Sequence, residues 1–272
     1  MASRPQITVL LDQNQKVVHS ARKYRIRPFR EATIIFLLSF GLISANTLFI
    51  YDNALQSKKE EVGSGLIRSA KIIAANVDVK LHQKLTSRKQ ESSPDYKLAV
   101  LPLRRALAAN KDTYAYVYTM ILKEGVPHFI LDATPDNSGD KSHVMDKYDT
   151  DEKTLLSVLT TGKARAMPEP KNDPPWGVLI SAYAPINDSK GKLVAVVGID
   201  MKDETYYERL YPIKRATIRT VVTGFFISFL IAAFVWFARN FSLVLNIKRW
   251  HLMKRLARTK GYHCEQRTIS HD

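Results

Sequence analysis

The chain has 272 residues, 45% of them hydrophobic, with a formal net charge of +15 and one cysteine. A lone cysteine, Cys264, excludes a disulfide framework, and the length leaves room for a domain that buries a core without one. The basic balance would suit nucleic acid, but most of the excess charge flanks two apolar runs, so nucleic-acid binding is set aside in favour of a membrane.

Residues 1–31 form a basic arm, with Arg4, Lys16, Arg22, Lys23, Arg25, Arg27 and Arg30 against Asp12 and Glu31. Ala32 to Tyr51 follows without any Lys, Arg, Asp or Glu, close to the roughly 20 residues a helix needs to cross a ~30 Å hydrocarbon core. A cleaved signal peptide would have an apolar region of about 7–15 residues nearer the start, followed by small residues. Leu48-Phe49-Ile50-Tyr51 stands where the small residues would be, so 32–51 is expected to be an uncleaved transmembrane helix.

Residues 52–216 read as a separate domain. From Asn53 to about Leu85 there is no proline, and Leu55, Val62, Leu66, Ile67, Ala70, Ile73, Ala74, Val77, Leu81 and Leu85 recur at helical spacing, which predicts one long helix. After a polar break at Ser87–Pro94, a second helix is expected over Pro94–Ala109, with Leu98, Leu101, Ala106 and Leu107 buried. Beyond Asn110 the period changes. Tyr114–Leu122 and Pro127–Ala133 read as strands joined by a turn at Lys123–Val126. Thr134–Thr150 is rich in Asp, Asn, Ser and Gly and reads as a loop, after which Asp151 is expected to cap a short helix ending at Gly162. Gly177–Ile186 and Lys192–Met201 are two more strands, and a last helix from about Asp203 is expected to break near Pro212.

The second transmembrane helix is placed at 217–238, around the uncharged run Val221–Ala238. Residues 239–272 are again basic, with Arg239, Lys248, Arg249, Lys254, Arg255, Arg258, Lys260 and Arg267 against Glu265 and Asp272. Because Lys- and Arg-rich flanks stay inside, both termini are expected in the cytoplasm and 52–216 outside it. Leu243, Ile247, Trp250 and Lys254 recur at helical spacing, as on a basic helix lying on anionic lipid or at the start of a coiled coil. The order of helices, hairpins and loop is that of an α+β domain, with helices gathered to one side of an antiparallel sheet, not a βαβ one.

Three stretches carry a resemblance. YAYVYTM at Tyr114–Met120, followed by HFILDAT at His128–Thr134, precedes DPPWGVLISAYAPI at Asp173–Ile186 and GKLVAVVGIDM at Gly191–Met201. In this order they resemble the Cache sensors, also called PDC domains, PAS-like extracytoplasmic modules of bacterial signalling proteins. The resemblance covers about 53–205. It implies a five- or six-stranded antiparallel sheet on a long N-terminal helix, a small-molecule pocket on the other face under flexible loops, and use in histidine kinases, chemoreceptors, nucleotide cyclases and diguanylate cyclases; with the two apolar runs and their basic flanks, the expected place is periplasmic, in a two-pass protein of the bacterial inner membrane. It also implies ligands such as amino acids or carboxylates. Family members usually carry an output domain after the second span, whereas about 34 residues follow Ala238 here, without a kinase, GGDEF or methyl-accepting signature.

The candidate ligand-binding residues are Tyr116, Tyr118, Asp132, Asp173, Trp176 and Tyr183. Tyr116 and Tyr118 share a strand face and either line a pocket or pack in the core. Asp132 ends an apolar strand, and a buried carboxylate there needs a partner, either a ligand or a structural donor. By the resemblance, Asp173 matches an acidic position that faces amine-containing ligands. Trp176 then supplies an aromatic wall, or else it plugs a rigid Pro174-Pro175-Trp176-Gly177 turn. Asp200 would suit a catalytic acid, but the resemblance implies that it closes the last strand structurally. No nucleophile with a companion base, HExxH, carboxylate pair, phosphate loop or metal-ligand spacing is present, so no catalytic residue, metal or cofactor is expected.

In the spans, Gly224, Ser228 and Ala232, and likewise Gly41 and Ala45, form small-residue ridges that serve either a partner helix or contact between the two spans of one chain. Asn46 is expected to bond a neighbouring helix. The combined expectation is a non-enzymatic membrane sensor for a small metabolite that acts through a second copy or a separate signalling protein. The alternatives are a structural or interaction subunit with a degenerate Cache domain, or a truncated histidine kinase or diguanylate cyclase sensor.

Overall fold

The computed structural model describes residues 27–150 and 152–259 and, among these, the side chains of all but 253, 254 and 256–259. The expected cap Asp151, the side chain of Lys254 and the thiol of Cys264 lie outside the described residues. The chain divides into two compact units, residues 49–216 and the segments before 49 and after 216.

In the larger unit the first helix is shorter than its apolar spacing suggests. Helix α1 (Pro28–Ala75) ends at Ala75, and a separate short helix, α2 (Val79–Lys84), follows. The break has a local cause: Asn76 donates its side-chain amide to the Ile72 carbonyl, and Asp78 takes an extended conformation and accepts the Leu81 N–H as the cap of α2. A 3₁₀ turn (Arg88–Ser92) occupies the polar break, and α3 (Pro94–Ala109) begins where Ser93 caps it and Pro94 takes the first turn. The buried face of α3 is not the expected one. Tyr96, Ala99, Val100 and Leu103 are buried, with Ala106 and Leu107 partly so, whereas Leu98 and Leu101 are exposed. Spacing from Tyr96 at i, i+3, i+4 and i+7 sets the face, and Leu98 falls on the opposite side.

Six strands make one antiparallel sheet: β1 (Tyr116–Lys123), β2 (Val126–Asp132), β3 (Arg165–Ala166), β4 (Lys171–Asp173), β5 (Gly177–Asn187) and β6 (Leu193–Lys202). They lie in the order β2-β1-β6-β5-β3, with β4 also paired to β5. The β1–β2 turn is two residues long, Lys123 pairing with Val126, and both turn residues have positive φ (Glu124 53°, Gly125 79°), the pattern of a type I′ hairpin. The short strands β3 and β4 have no sequence period and lie outside every expected element. Helix α4 (Lys153–Thr161) is capped by Glu152, whose carboxylate accepts the Thr154 and Leu155 N–H groups, and stops at Gly162 with φ 67°.

Strand alternation splits the core. On one face Val117, Ile130, Ala182, Val197 and Ile199 join Val62, Leu66, Ala70, Ile73, Val100 and Leu103 of the helices. On the other face Tyr118, Met120, Phe129, Tyr183 and Val196 meet Leu155, Val158 and Leu159 of α4, with Tyr116, Tyr148 and Trp176 partly buried beside them. The helices are therefore not all on one side, because α4 crosses to the face that carries the candidate site.

Helix α5 (Asp203–Thr259) runs through Pro212 instead of breaking there. Proline removes one backbone hydrogen bond, and the helix formers around it, Glu208, Arg209, Leu210, Lys214 and Arg215, sustain the rest. Both α1 and α5 contain a stretch long and apolar enough to cross a membrane. In this second unit, a Cβ added at Gly224 would lie 2.6 Å from Ile43 Cγ2, and Ser228 and Ala232 are buried. The ridge thus packs on α1 of the same chain. Phe225 meets Phe36 and Phe40 edge to face at 5.5 and 5.7 Å, and Arg239 pairs with Glu31 at 2.9 Å. Asn46, Gly41 and Ala45 are exposed on α1, and among the described residues Asn46 has no side-chain hydrogen bond to another helix.

Candidate functional site

The sheet face that carries α4 holds an open cavity of about 760 Å³. Its lining comes from four places: Lys147–Thr150 of the long loop, Glu152, the β3–β4 segment (Met167, Lys171, Asn172, Asp173), and β5 with the turn before it (Pro174, Trp176, Leu179, Ser181, Tyr183). Tyr148, Asp173 and Trp176 also border a second, inner gap with Tyr116, Tyr118, Phe129, Asp132, Ser142 and Asp200. That gap measures about 10 Å³, room for roughly one water. All six expected residues border one or other of these two hollows, which share Tyr148, Asp173 and Trp176: Asp173, Trp176 and Tyr183 line the outer cavity, and Tyr116, Tyr118 and Asp132 the inner gap.

Each side chain is held. Tyr148 donates to Asp173 Oδ2 at 2.8 Å, and the Trp176 backbone N–H donates to the Asp173 carbonyl at 2.8 Å. The Trp176 ring N–H reaches the Asp140 carbonyl at 2.9 Å, and Tyr116 donates to the Asp140 carboxylate at 3.4 Å. Phe129 knits the wall together, with ring centroids 5.3 Å from Tyr118, 5.7 Å from Tyr148 and 6.0 Å from Trp176. These tilted and edge-on aromatic contacts fix the wall in place.

Asp132 is bonded to the backbone of its own loop. Its two carboxylate oxygens accept the N–H groups of Thr134 (2.8 Å) and Ser142 (2.7 Å), so one side chain ties both ends of the intervening stretch. Burial nevertheless raises its pKa, against the pull of those bonds. The far part of the same loop is fastened to the 3₁₀ turn. Glu91 accepts from His143 (3.0 Å) and the Val144 N–H (2.8 Å), and Lys141, its side chain buried, pairs with Asp136 and lies 3.8 Å from Glu91.

Asp200 is buried on the same sheet face. Tyr118 donates to it at 3.1 Å, and Ser181 is its partner on the neighbouring strand. Burial pushes its pKa up to about 7, with the carboxylates of Asp173 and Asp132 adding to the effect. Burial likewise raises Asp173 and, strongly, Tyr118 and Tyr183. Of these three carboxylates only Asp173 lines the outer cavity, where a cationic or hydrogen-bond-donating guest would lower the cost of its burial beside the aromatic faces of Trp176 and Tyr148. Among the described residues no three His, Cys, Asp or Glu side chains are grouped for a metal ion.

Sequence reasoning misses Tyr148 and Phe129. Tyr148 sits in a stretch read only as loop, and it arrives by pairing with the β2 edge: its N–H bonds the Pro127 carbonyl, and Lys147 bridges to His128. Phe129 lies on a strand face whose partner only the register shows.

No protein-family model matches the chain, and no curated protein sequence does. Among solved structures it is similar to the sensor domain of E. coli DcuS, at 14% identity and a TM-score of 0.40 over 57% of this chain and 98% of that one. It is similar to the ligand-binding domain of the Campylobacter jejuni chemoreceptor Tlp3, solved with L-valine, at 16% identity and a TM-score of 0.35 over 67% of this chain and 62% of that one. The periplasmic sensory domain of the Campylobacter jejuni chemoreceptor Tlp1 gives 13% identity and a TM-score of 0.35 over 60% of each chain. All three are sensor domains, and this chain spans about three fifths of the two chemoreceptor domains.

Proposed function

We propose that the chain is a membrane-anchored sensor whose exported Cache-type domain binds a small polar molecule and acts through a separate partner. The observation that carries this reading is the outer cavity, whose volume of about 760 Å³ falls in the range of small-molecule sites. Asp149, Glu152 and Asp173 line it together with Lys147 and Lys171, so a zwitterion such as an amino acid would meet both signs of charge. Trp176, Tyr148 and Tyr183 supply apolar walls. The apolar stretches of α1 and α5 support two membrane passes, and the basic residues flanking them support cytoplasmic termini with 52–216 outside. In a non-enzymatic chain of this kind, the signal leaves as a change of helix position felt by a second copy or by another signalling protein.

The test is thermal unfolding of the full chain in lipid nanodiscs against a panel of amino acids, amines and small carboxylates. A ligand present at 100 times its Kd should stabilise the domain by about 2.7 kcal/mol. Asp173→Ala and Trp176→Ala should abolish that rise while the unliganded domain still unfolds cooperatively. A full panel without a shift would favour the interaction-subunit alternative.

A further inference from the structure

The segment that forms one rim of the cavity also touches α1. β3 pairs with β5 at two positions, Arg165 with Tyr183 and Ala166 with Ala182, and β4 pairs at three, from Lys171–Leu179 to Asp173–Gly177. Strand β6, by contrast, is paired along most of its length to β5 on one side and over Val196–Asp200 to β1 on the other. The rim is thus the weakly laddered edge of an otherwise well-paired sheet, the part that can shift as a unit. Its inward side faces the cavity through Met167, Lys171, Asn172 and Asp173.

Its other side lies on the helix. A Cβ placed at Gly63 would be 3.3 Å from the Ala166 methyl, so helix backbone and strand meet with almost no side chain between them. One turn earlier Lys59 Nζ bonds Glu169 Oε1 at 2.8 Å, and Met167 is buried in the same core cluster as Val62 and Leu66. Between Phe29 and Ala75, α1 has no proline, and Lys59 stands eight residues after Tyr51, where the apolar run ends.

Resting on the sensor reading above, we propose that occupancy of the outer cavity is passed to α1 through the β3–β4 segment, with Ala166 against Gly63 and Glu169 on Lys59 as its two points of contact. A guest pressing on Met167 or Lys171–Asp173 displaces a segment whose ladder is confined to β5, and the tight Gly63–Ala166 contact turns that displacement into a movement of the helix. Glycine and alanine suit this junction because neither has a rotamer that could absorb the push.

The experiment needs no natural ligand. In full chains carrying Cys264→Ser, Asn172→Cys is modified with benzyl methanethiosulfonate, which places a covalent aromatic guest at the cavity wall. Backbone hydrogen exchange is then followed in nanodiscs. The guest should change exchange by about threefold or more both in 171–183 and in α1 over 58–68, and the same adduct on Ser189→Cys, at the distant β5–β6 turn, should change neither. Lys59→Met with Ala166→Gly should silence the α1 response while that of 171–183 persists. The proposal is overturned if the adduct alters 171–183 and leaves α1 unchanged, or if α1 responds undiminished in the double variant. Either result leaves the pocket itself standing, since ligand binding is measured separately.

Discussion

The Tyr118 ring lies across Gly198 of the neighbouring strand, so close that a Cβ at 198 would overlap Cε2 and Cζ of the ring. The bare backbone lets the phenol cross β6 and reach Asp200, two residues further on the same face. Glycine here serves a close approach, not an unusual φ. Gly198→Ala should therefore displace Tyr118 and destabilise the domain by about 1–3 kcal/mol, read by thermal unfolding. In a Tyr118→Ala background the same change should cost much less. An equal cost in both backgrounds would show that the ring is not what the methyl meets.

Asp200 makes stability depend on pH. Its carboxyl titrates at about 7 when folded and at about 3.9 when unfolded, so between those values the folded state keeps a proton that the unfolded chain has lost. This contribution to stability falls as pH rises from about 4 to about 7 and is level above that. Asp200→Asn removes the dependence, so the variant should gain on the parent as pH rises through that window, with roughly 1.4 kcal/mol per pH unit as the ceiling. A difference that stays constant across the window would mean that Asp200 is ionised throughout.

His82 acts with the opposite sign. It is buried with Nε2 2.9 Å from Thr119 Oγ1, and burial lowers its pKa to about 4. Below about 6.5 the unfolded chain takes up a proton that the folded one refuses, so stability falls as pH drops from about 6.5 to about 4. His82→Gln should hold more of its stability at about pH 5, relative to about pH 7.5, than the parent does. A parent and variant that lose stability in parallel on acidification would exclude the effect.

Gly224→Leu should loosen the two spans of one chain, since even a methyl there meets Ile43. Equilibrium unfolding in mixed micelles is expected to register a loss of about 1–3 kcal/mol, partly restored by Ile43→Ala. No loss would place another neighbour against Gly224.

Reporter fusions test the topology. A fusion at Lys141 should be active only as an exported enzyme and one after Arg258 only as a cytoplasmic one, as the basic flanks require. The reverse pattern at either position would overturn the orientation.

The α+β class and the four long strands are legible because their signals are local: the change of period after Asn110, the Glu124-Gly125 turn and the β-branched runs before and after Lys190. What escapes depends on partners. Leu98 and Leu101 are as apolar as Leu103, and only the phase set by Tyr96 shows which of them the sheet covers. The α1–α2 break is signalled by Asn76 and Asp78, but the apolar spacing on either side stays in step across it. Strands β3 and β4 exist because β5 is long enough to pair with them, which nothing within residues 165–173 announces. In the site, the cluster before and along β5 can be read from its aromatics and Asp173. Tyr148 cannot, because its place is decided by a loop pairing with the β2 edge.

Because the Asp132 carboxylate clasps both Thr134 and Ser142, the stretch between them is bounded by a single side chain. A loop so anchored tolerates rewriting: doubling its length costs only about 0.6 kcal/mol of closure entropy, and its ends stay where the sheet needs them. New residues admitted between Asn137 and Gly139 would alter the approach to Trp176 and Tyr116 without re-engineering a strand. A change of length there would thus reach Trp176 and Tyr116 through Asp140, while the residues that line the outer cavity keep their places on the sheet and its neighbouring loops.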